Sequence, residues 1–176
     1  MSIWNRAGVW FIGPLLALSS CGYHVAGRDN LVPKTVHTIA VPPFENATIR
    51  YKLTDLLPEA LSKELIARTH YQVINDPTQA DAVLRGTVIS YLAYPTLIDQ
   101  ATGRTSGLQI NVRLNVSLVE RSTGKVIFAR PILDAHERYE LSVTNDLQYF
   151  DESGAAVQRL SKDVARDVVS AILENF

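Results

Sequence analysis

Ten residues in the second half of the chain alternate strictly between polar and apolar side chains. The apolar members are Ile110, Val112, Leu114, Val116 and Leu118, and each of them follows a polar residue. Because the side chains of a β-strand point alternately to opposite faces, this pattern predicts a strand with one buried face and one polar face. Such a strand needs partner strands and a second layer that covers its apolar side.

Two other segments carry apolar residues at the period of an α-helix, and they could provide that layer. One extends from Leu53 to Arg68 and the other from Val157 to Ile172. Pro58 lies close enough to the start of the first helix to be tolerated there. A chain of 176 residues, of which 47% are hydrophobic, is typical of one ordinary globular domain.

Residues with high β-propensity are concentrated in four further runs, which are also predicted to be strands: 36–41, 71–74, 82–94 and 126–139. Pro131 requires an edge position or a bulge in the last of them. The order β-α-β-β-β-β-α predicts an α+β fold. We expect a two-layer sandwich, with two helices packed on one face of a mixed, mostly antiparallel sheet of four to five strands. The other face would be solvated or docked on a partner.

The first twenty residues differ from this domain. Arg6 is followed by an uncharged, largely apolar run from Ala7 to Leu18. This run fits a signal-peptide core of roughly 7–15 residues and is shorter than the roughly 20 residues that span a bilayer. The only cysteine of the chain, Cys21, comes directly after Leu18-Ser19-Ser20, an arrangement that resembles a bacterial lipobox. The alternative is a buried free cysteine at the end of an apolar N-terminal helix.

The lipobox interpretation divides the chain into three parts: a lipoprotein signal peptide in residues 1–20, a lipidated tether in 21–34 and a single α/β domain in 35–176. Cys21 would carry S-linked diacylglycerol and an N-acyl group, which together exceed the two signals that stable anchoring needs. Gly22 resembles an outer-membrane sorting signal. We therefore expect a protein on the periplasmic face of the outer membrane, attached by lipid and not by a transmembrane helix.

No pattern in the sequence indicates catalysis. The net charge of −1 argues against nucleic-acid binding, and four widely separated histidines argue against a metal site. The GxSxG motif of serine hydrolases is absent. Asp134, Glu137 and Glu140 could pair as acid and base, although carboxylates on a strand surface are far more common. We expect no catalytic residues, no metal and no cofactor other than the lipid on Cys21.

Four short pieces of the sequence form a set: Cys21-Gly22-Tyr23-His24-Val25, Val32-Pro33, Ile39-Ala40-Val41-Pro42-Pro43-Phe44-Glu45-Asn46 and Ala80-Asp81-Ala82-Val83-Leu84-Arg85-Gly86. With further similar pieces that extend to the terminal helix, this set resembles the LptE family of lipopolysaccharide-assembly lipoproteins. The resemblance covers nearly all of the chain after Cys21.

The resemblance implies a plug inside the large outer-membrane β-barrel that delivers lipopolysaccharide to the cell surface. The partners would be that LPS-translocon barrel (LptD-like), lipopolysaccharide itself and the membrane, which the lipid anchor enters. In relatives, basic residues in the loop between two long strands contribute to lipopolysaccharide contact. Here that loop is predicted at 95–108, where Arg104 is the only basic residue, and a guanidinium suits a phosphate. Arg104 could instead be a solvated loop charge, and a second basic position has no counterpart between Tyr139 and Glu152.

Two other functions remain open from the sequence. The first is another periplasm-facing outer-membrane lipoprotein, which activates a cell-wall synthase or belongs to a secretion assembly. It rests on the Ile39–Asn46 piece, because other periplasmic α/β lipoproteins carry something like it. The second is a hydrolase, for which Asp134 and Glu137 are the remaining candidates.

Overall fold

The computed structural model describes residues 32–143, 149–151 and 153–174. The predicted signal peptide and the predicted lipid attachment site, Cys21, lie outside the described residues. In the described part of the chain, neither helix has the length and apolarity needed to cross a membrane.

The described residues form seven strands and two helices. In chain order they are β1 (Thr38–Ala40), β2 (Glu45–Asn46), α1 (Lys52–Arg68), β3 (Gln72–Ile74), β4 (Ala82–Ile98), β5 (Thr105–Glu120), β6 (Val126–Val143), β7 (Tyr149–Asp151) and α2 (Ser153–Leu173).

The strands form one mixed sheet in the order β3-β1-β4-β5-β6-β7, with β2 also paired to β4. The pairs that involve β1 and β2 are parallel, and the pairs β4–β5, β5–β6 and β6–β7 are antiparallel. The predicted α+β architecture is confirmed. The sheet has slightly more strands than the four to five predicted, because β2 and β7 have only two and three residues and are too short to show a period of two.

Both helices pack on the same face of the sheet. The alternating apolar residues of β5, from Ile110 to Leu118, are at most 2% exposed, and they form one core with Leu57, Leu61 and Leu65 of α1. The helices run side by side in the same direction: Leu53 and Val157 line the same cleft near their beginnings, and Nη1 of Arg68 donates to Oγ of Ser170 (2.7 Å) near their ends. The predicted second layer is therefore present, and neither of its two helices lies on the other sheet face.

Pro58 lies inside α1, where it is buried. Proline has no N–H, so the carbonyl of Thr54 loses the donor that a regular helix provides. The backbone N–H of Phe44 donates to that carbonyl instead (3.4 Å). The interruption in the helix thus fixes the segment that leads into β2.

The strands β4 and β5 form a hairpin that is longer than the sequence predicts. The predicted loop at 95–108 is wrong in extent, since β4 continues to Ile98 and β5 begins at Thr105. Pro95 is compatible with β4 because that stretch of the strand pairs only with β5. Gly107 permits close pairing, since a Cβ there would be 3.0 Å from the Cβ of Leu97.

A bulge interrupts the pairing of β5 with β6 at Pro131. Leu114 pairs with Leu133 and Val116 pairs with Arg130, so β6 has an extra residue at this point. On its outer side, β6 pairs with β7 only from Leu141 onwards. The structure therefore shows a bulge at Pro131 and, among the described residues, an unpaired outer edge there, so both of the predicted alternatives are met.

Candidate interaction surface

The face of the sheet opposite the helices is formed by the three longest strands. We call it the polar sheet face and define it by nine residues: Ser90, Leu92 and Tyr94 of β4, Gln109, Asn111 and Arg113 of β5, and Asp134, His136 and Arg138 of β6. All but Leu92 are polar. The sequence predicted the β5 members through their alternation, whereas their cross-strand partners depend on register, which the sequence does not reveal.

Side-chain amides on the polar sheet face are held by a hydrogen-bond network. Nε2 of Gln109 donates to Oη of Tyr94 and to Oδ1 of Asn111 (2.8 Å each), and Nδ2 of Asn111 donates to the same Tyr94 hydroxyl (3.1 Å). Oε1 of Gln109 accepts from Nε of Arg138 (2.8 Å). Each strand contributes to this network, so the side chains are ordered before any partner arrives.

Arg113 and Asp134 form a two-pronged ion pair on the same face, with Nε–Oδ1 and Nη2–Oδ2 distances of 2.7 and 3.3 Å. Hydrogen bonding to the Asp134 carboxylate, and then its charge, raises the pKa of the Arg113 guanidinium. The two side chains are 51% and 61% exposed, so solvent screens the pair and it contributes little to stability. Its main effect is to fix where the two charges lie.

Arg104 lies at the tip of the β4–β5 hairpin, outside the polar sheet face. The tip backbone is ordered: Asp99 N–H donates to the Arg104 carbonyl (2.8 Å), Gly103 N–H donates to the Asp99 carbonyl (2.7 Å), and Gly103 has a φ of 68°. The Asp99 carboxylate accepts the N–H groups of Ala101 and Thr102, which lowers its pKa. The Arg104 side chain is exposed and, among the described residues, has no ion pair.

The basic residues near the tip are not brought together. Arg138 is bonded to Gln109, which lies five positions beyond Arg104 along the chain. At ~3.3 Å per residue, that separates Arg104 from the Arg138 contact by roughly 16 Å along the strand. Of the basic residues that the structure describes, Arg104 alone lies at the tip.

The acid–base pair considered from the sequence is not assembled. Asp134 lies on the polar sheet face, whereas Glu137 accepts a hydrogen bond from Nε of Arg159 on α2 (2.7 Å) and so lies on the helix side. The two carboxylates thus occupy opposite faces of β6. Within the described ranges, no three histidine, cysteine or carboxylate side chains cluster in a way that could hold a metal ion.

The sequence pieces around Phe44 and Asp81 have structural roles. The Asp81 carboxylate accepts the backbone N–H groups of His37 and Thr38 (2.9 Å each), which lowers its pKa and joins the start of β1 to β4. Oδ1 of Asn46 accepts from the N–H and hydroxyl of Thr48 (2.8 Å each), which shapes the turn after β2. These hydrogen bonds show that Asp81 and Asn46 build the scaffold.

Several solved structures share this fold. They include the uncharacterized lipoprotein B of Nitrosomonas europaea (11% identity, TM-score 0.53, covering 78% of this chain and 83% of that one). Similar as well is a protein of Xanthomonas campestris, with 14% identity and a TM-score of 0.53 over 84% of this chain and 90% of that one. The PelC dodecamer of Paraburkholderia phytofirmans has 17% identity and a TM-score of 0.51 over 80% of this chain and 90% of that one. At these identities the similarity shows the fold alone. Among curated protein sequences, none matches this chain.

The decisive comparison is with a protein family. The model of the LptE family, described as lipopolysaccharide-assembly, matches residues 36–172. This range contains every strand and nearly all of both helices. The chain therefore belongs to the LptE family, whose members are lipoproteins of lipopolysaccharide assembly.

Proposed function

We propose that this protein is a non-enzymatic outer-membrane lipoprotein that partners the β-barrel of the lipopolysaccharide translocon. In this role it assists the assembly of the barrel and the delivery of lipopolysaccharide to the cell surface. Membership of the LptE family supports the general role. The observation that carries the more specific proposal is the polar sheet face, which neither of the two described helices covers.

The chemistry of the polar sheet face suits a polar protein wall. Burying amide and guanidinium groups against hydrocarbon would be costly, because their hydrogen-bonding capacity would remain unused. The lumen of an outer-membrane barrel is lined with polar residues and water, so these groups could be satisfied there. Much of the hydrogen bonding on the face is already made internally, as in the Tyr94–Gln109–Asn111 network, which reduces the ordering cost of docking.

The arrangement of the two sheet ends is compatible with a lipid-anchored plug. Near the beginning of the described chain, Oγ1 of Thr35 donates to Oε1 of Glu120 (3.4 Å), at the end of β5 that is remote from the hairpin tip. The 16 residues of β5 separate the two ends by about 50 Å. We propose that acyl groups on Cys21 attach the protein to the periplasmic face of the outer membrane through the Glu120 end.

We further propose that the tip contributes to lipopolysaccharide contact through Arg104. An exposed guanidinium can donate two parallel hydrogen bonds to a phosphate on the glycolipid. Since the Arg104 side chain is in no ion pair within the described chain, no internal carboxylate competes for it.

Co-purification tests the proposed partnership. The full chain, purified from outer membranes in mild detergent, should recover a large β-barrel protein that mass spectrometry identifies. Asn111→Trp, which places a bulky ring on the polar sheet face, should reduce that recovery about tenfold or more, whereas Gln158→Trp on the exposed side of α2 should not. Failure of the wild-type protein to recover any barrel would overturn the proposal. Equal barrel recovery by the wild type and both variants would show that the polar sheet face does not contact the barrel.

A further inference from the structure

A cleft of about 390 Å³ opens where both helices begin, between them and β4. Arg50 and Lys52 provide its charge, Tyr91 and Tyr139 contribute aromatic side chains to its lining, and Ile49 and Val157 contribute apolar ones. The Arg50 guanidinium lies 5.8 Å from the centre of the Tyr91 ring, over its face. The volume is within the range of roughly 300–1,000 Å³ usual for small-molecule sites.

The charges in this cleft are of one sign. Neither Arg50 nor Lys52 takes part in an ion pair in the described part of the chain, and no aspartate or glutamate is among the described residues that line the cleft. The aromatic face under Arg50 holds the guanidinium without neutralising it. Among the described residues, the cleft therefore combines positive charge that no carboxylate neutralises with apolar walls.

A second cleft on the same molecule provides a comparison. It lies between α1 and α2, has a similar volume of about 380 Å³, and also contains basic side chains, among them Lys63 and Arg166. There, Lys63 is paired with Glu59 and Arg166 with Asp163, and Glu64 lies in the lining as well. This second cleft is a matched internal control, because it has a similar size and two of its three described basic side chains are paired with carboxylates.

We propose that the Arg50–Lys52 cleft binds a phosphorylated amphiphile, with the phosphate between Arg50 and Lys52 and the first carbons of an alkyl chain against Ile49, Ala93 and Val157. Arginine offers two parallel donors to phosphate oxygens, and lysine adds a point charge. The apolar walls favour an alkylated phosphate over the free ion, because they remove hydrocarbon from water. This site is distinct from Arg104 and does not require a barrel partner.

The probe is hexyl phosphate, which is short enough to remain monomeric, titrated by calorimetry into the full chain in neutral detergent. We expect saturable binding of hexyl phosphate. Binding should be about tenfold weaker with inorganic phosphate, which lacks the alkyl chain, and about tenfold weaker with hexyl glucoside, which lacks the phosphate. Arg50→Gln and Lys52→Gln should each weaken hexyl phosphate binding by roughly three- to tenfold. Lys63→Gln and Lys162→Gln, in the second cleft, should leave it unchanged.

A further variant locates the site without removing charge. Ala93→Phe fills the cleft, so it should abolish hexyl phosphate binding while circular dichroism shows an unchanged fold. Equal affinities for hexyl phosphate and inorganic phosphate, or an unchanged affinity in Arg50→Gln, would overturn the proposal. Binding that appears only in a protein with Asp151→Asn and Glu152→Gln would also overturn it, because those residues, which precede Ser153, would then be the internal partners of the two cations. Barrel recovery by Arg50→Gln tests the proposed function separately.

Discussion

The ring of Phe44 occupies the space that a side chain at position 86 would need. A Cβ added to Gly86 would lie 2.5 Å from Cζ and 2.6 Å from Cδ2 of Phe44, which is itself only 4% exposed. The two residues belong to separate pieces of the sequence that carry the family resemblance. Their contact explains why an aromatic residue before β2 and a glycine within β4 occur in the same chain.

Gly86→Ala should destabilise the fold. The added methyl group forces the buried Phe44 ring or the strand backbone to move, which should lower the free energy of unfolding by about 1–3 kcal/mol in urea titrations. Gly154→Ala is the matched control, since a Cβ at position 154 would meet nothing within 4 Å and alanine favours a helix. If the two variants unfold at the same urea concentration as the wild type, the steric role of Gly86 is refuted.

Asp81→Asn should destabilise the protein by about 1–2 kcal/mol at neutral pH, because the amide loses the charge that strengthens its hydrogen bonds to His37 and Thr38. Those bonds hold the pKa of Asp81 below its ordinary value of 3.8. The contribution of the ionised group is therefore complete above about pH 4 and is lost as the pH falls through the folded-state pKa. Urea midpoints at several pH values should show the two proteins converging below pH 4. A stability gap that does not change down to pH 2.5 would contradict this account.

Arg104→Gln should weaken binding of phosphorylated lipopolysaccharide by roughly three- to tenfold, as expected for one lost guanidinium–phosphate contact. The thermal midpoint should not move, because the exposed side chain adds nothing to the core. Lys125→Gln, at the β5–β6 turn, removes a charge at the opposite end and should bind normally. Surface plasmon resonance with native and dephosphorylated lipopolysaccharide measures the effect. If Arg104→Gln and the wild type bind lipopolysaccharide with the same affinity, Arg104 does not contact it.

Cys21→Ala should leave an unprocessed precursor, because the thioether bond to diacylglycerol cannot form without the thiol. Mass spectrometry of the wild type should find a chain that begins at Cys21 and carries lipid. Ser20→Ala keeps a small residue before the cleavage site and should be processed normally. A wild-type chain that is cleaved without lipid would refute the lipobox interpretation.

The sequence predicts the parts of this fold that have a strong period. The alternation from Gln109 to Leu118 predicts β5, and the helical spacing of Leu53, Leu57, Leu61 and Leu65 predicts α1, because burial on one face imposes both patterns. The hairpin extension could not be predicted from Pro95 and Gly107, since both residues ordinarily indicate loops. What makes them compatible with strands is a neighbour: Pro95 lies on an edge, and Gly107 faces Leu97.

The candidate surface was harder to predict than the fold. The polar residues of β5 are visible in the sequence, but the pairing of Arg113 with Asp134 depends on the bulge at Pro131, which sets the register of β6. The Arg50–Lys52 cleft has no sequence signal, because its lining comes from four separate stretches of chain that only the packing of both helices on β4 brings together.

The bulge and the proline in β6 also determine how this protein can meet another β-sheet. Along Val126–Glu140 the outer edge of β6 has no strand partner in the described residues, and strand addition to it would have to pass Pro131, which lacks an N–H, and a local kink. Charged side chains at Arg130, Asp134 and Arg138 oppose it further. A neighbouring β-sheet therefore cannot form a continuous hydrogen-bond ladder along this edge of β6, so a partner would have to meet the protein there mainly through side chains.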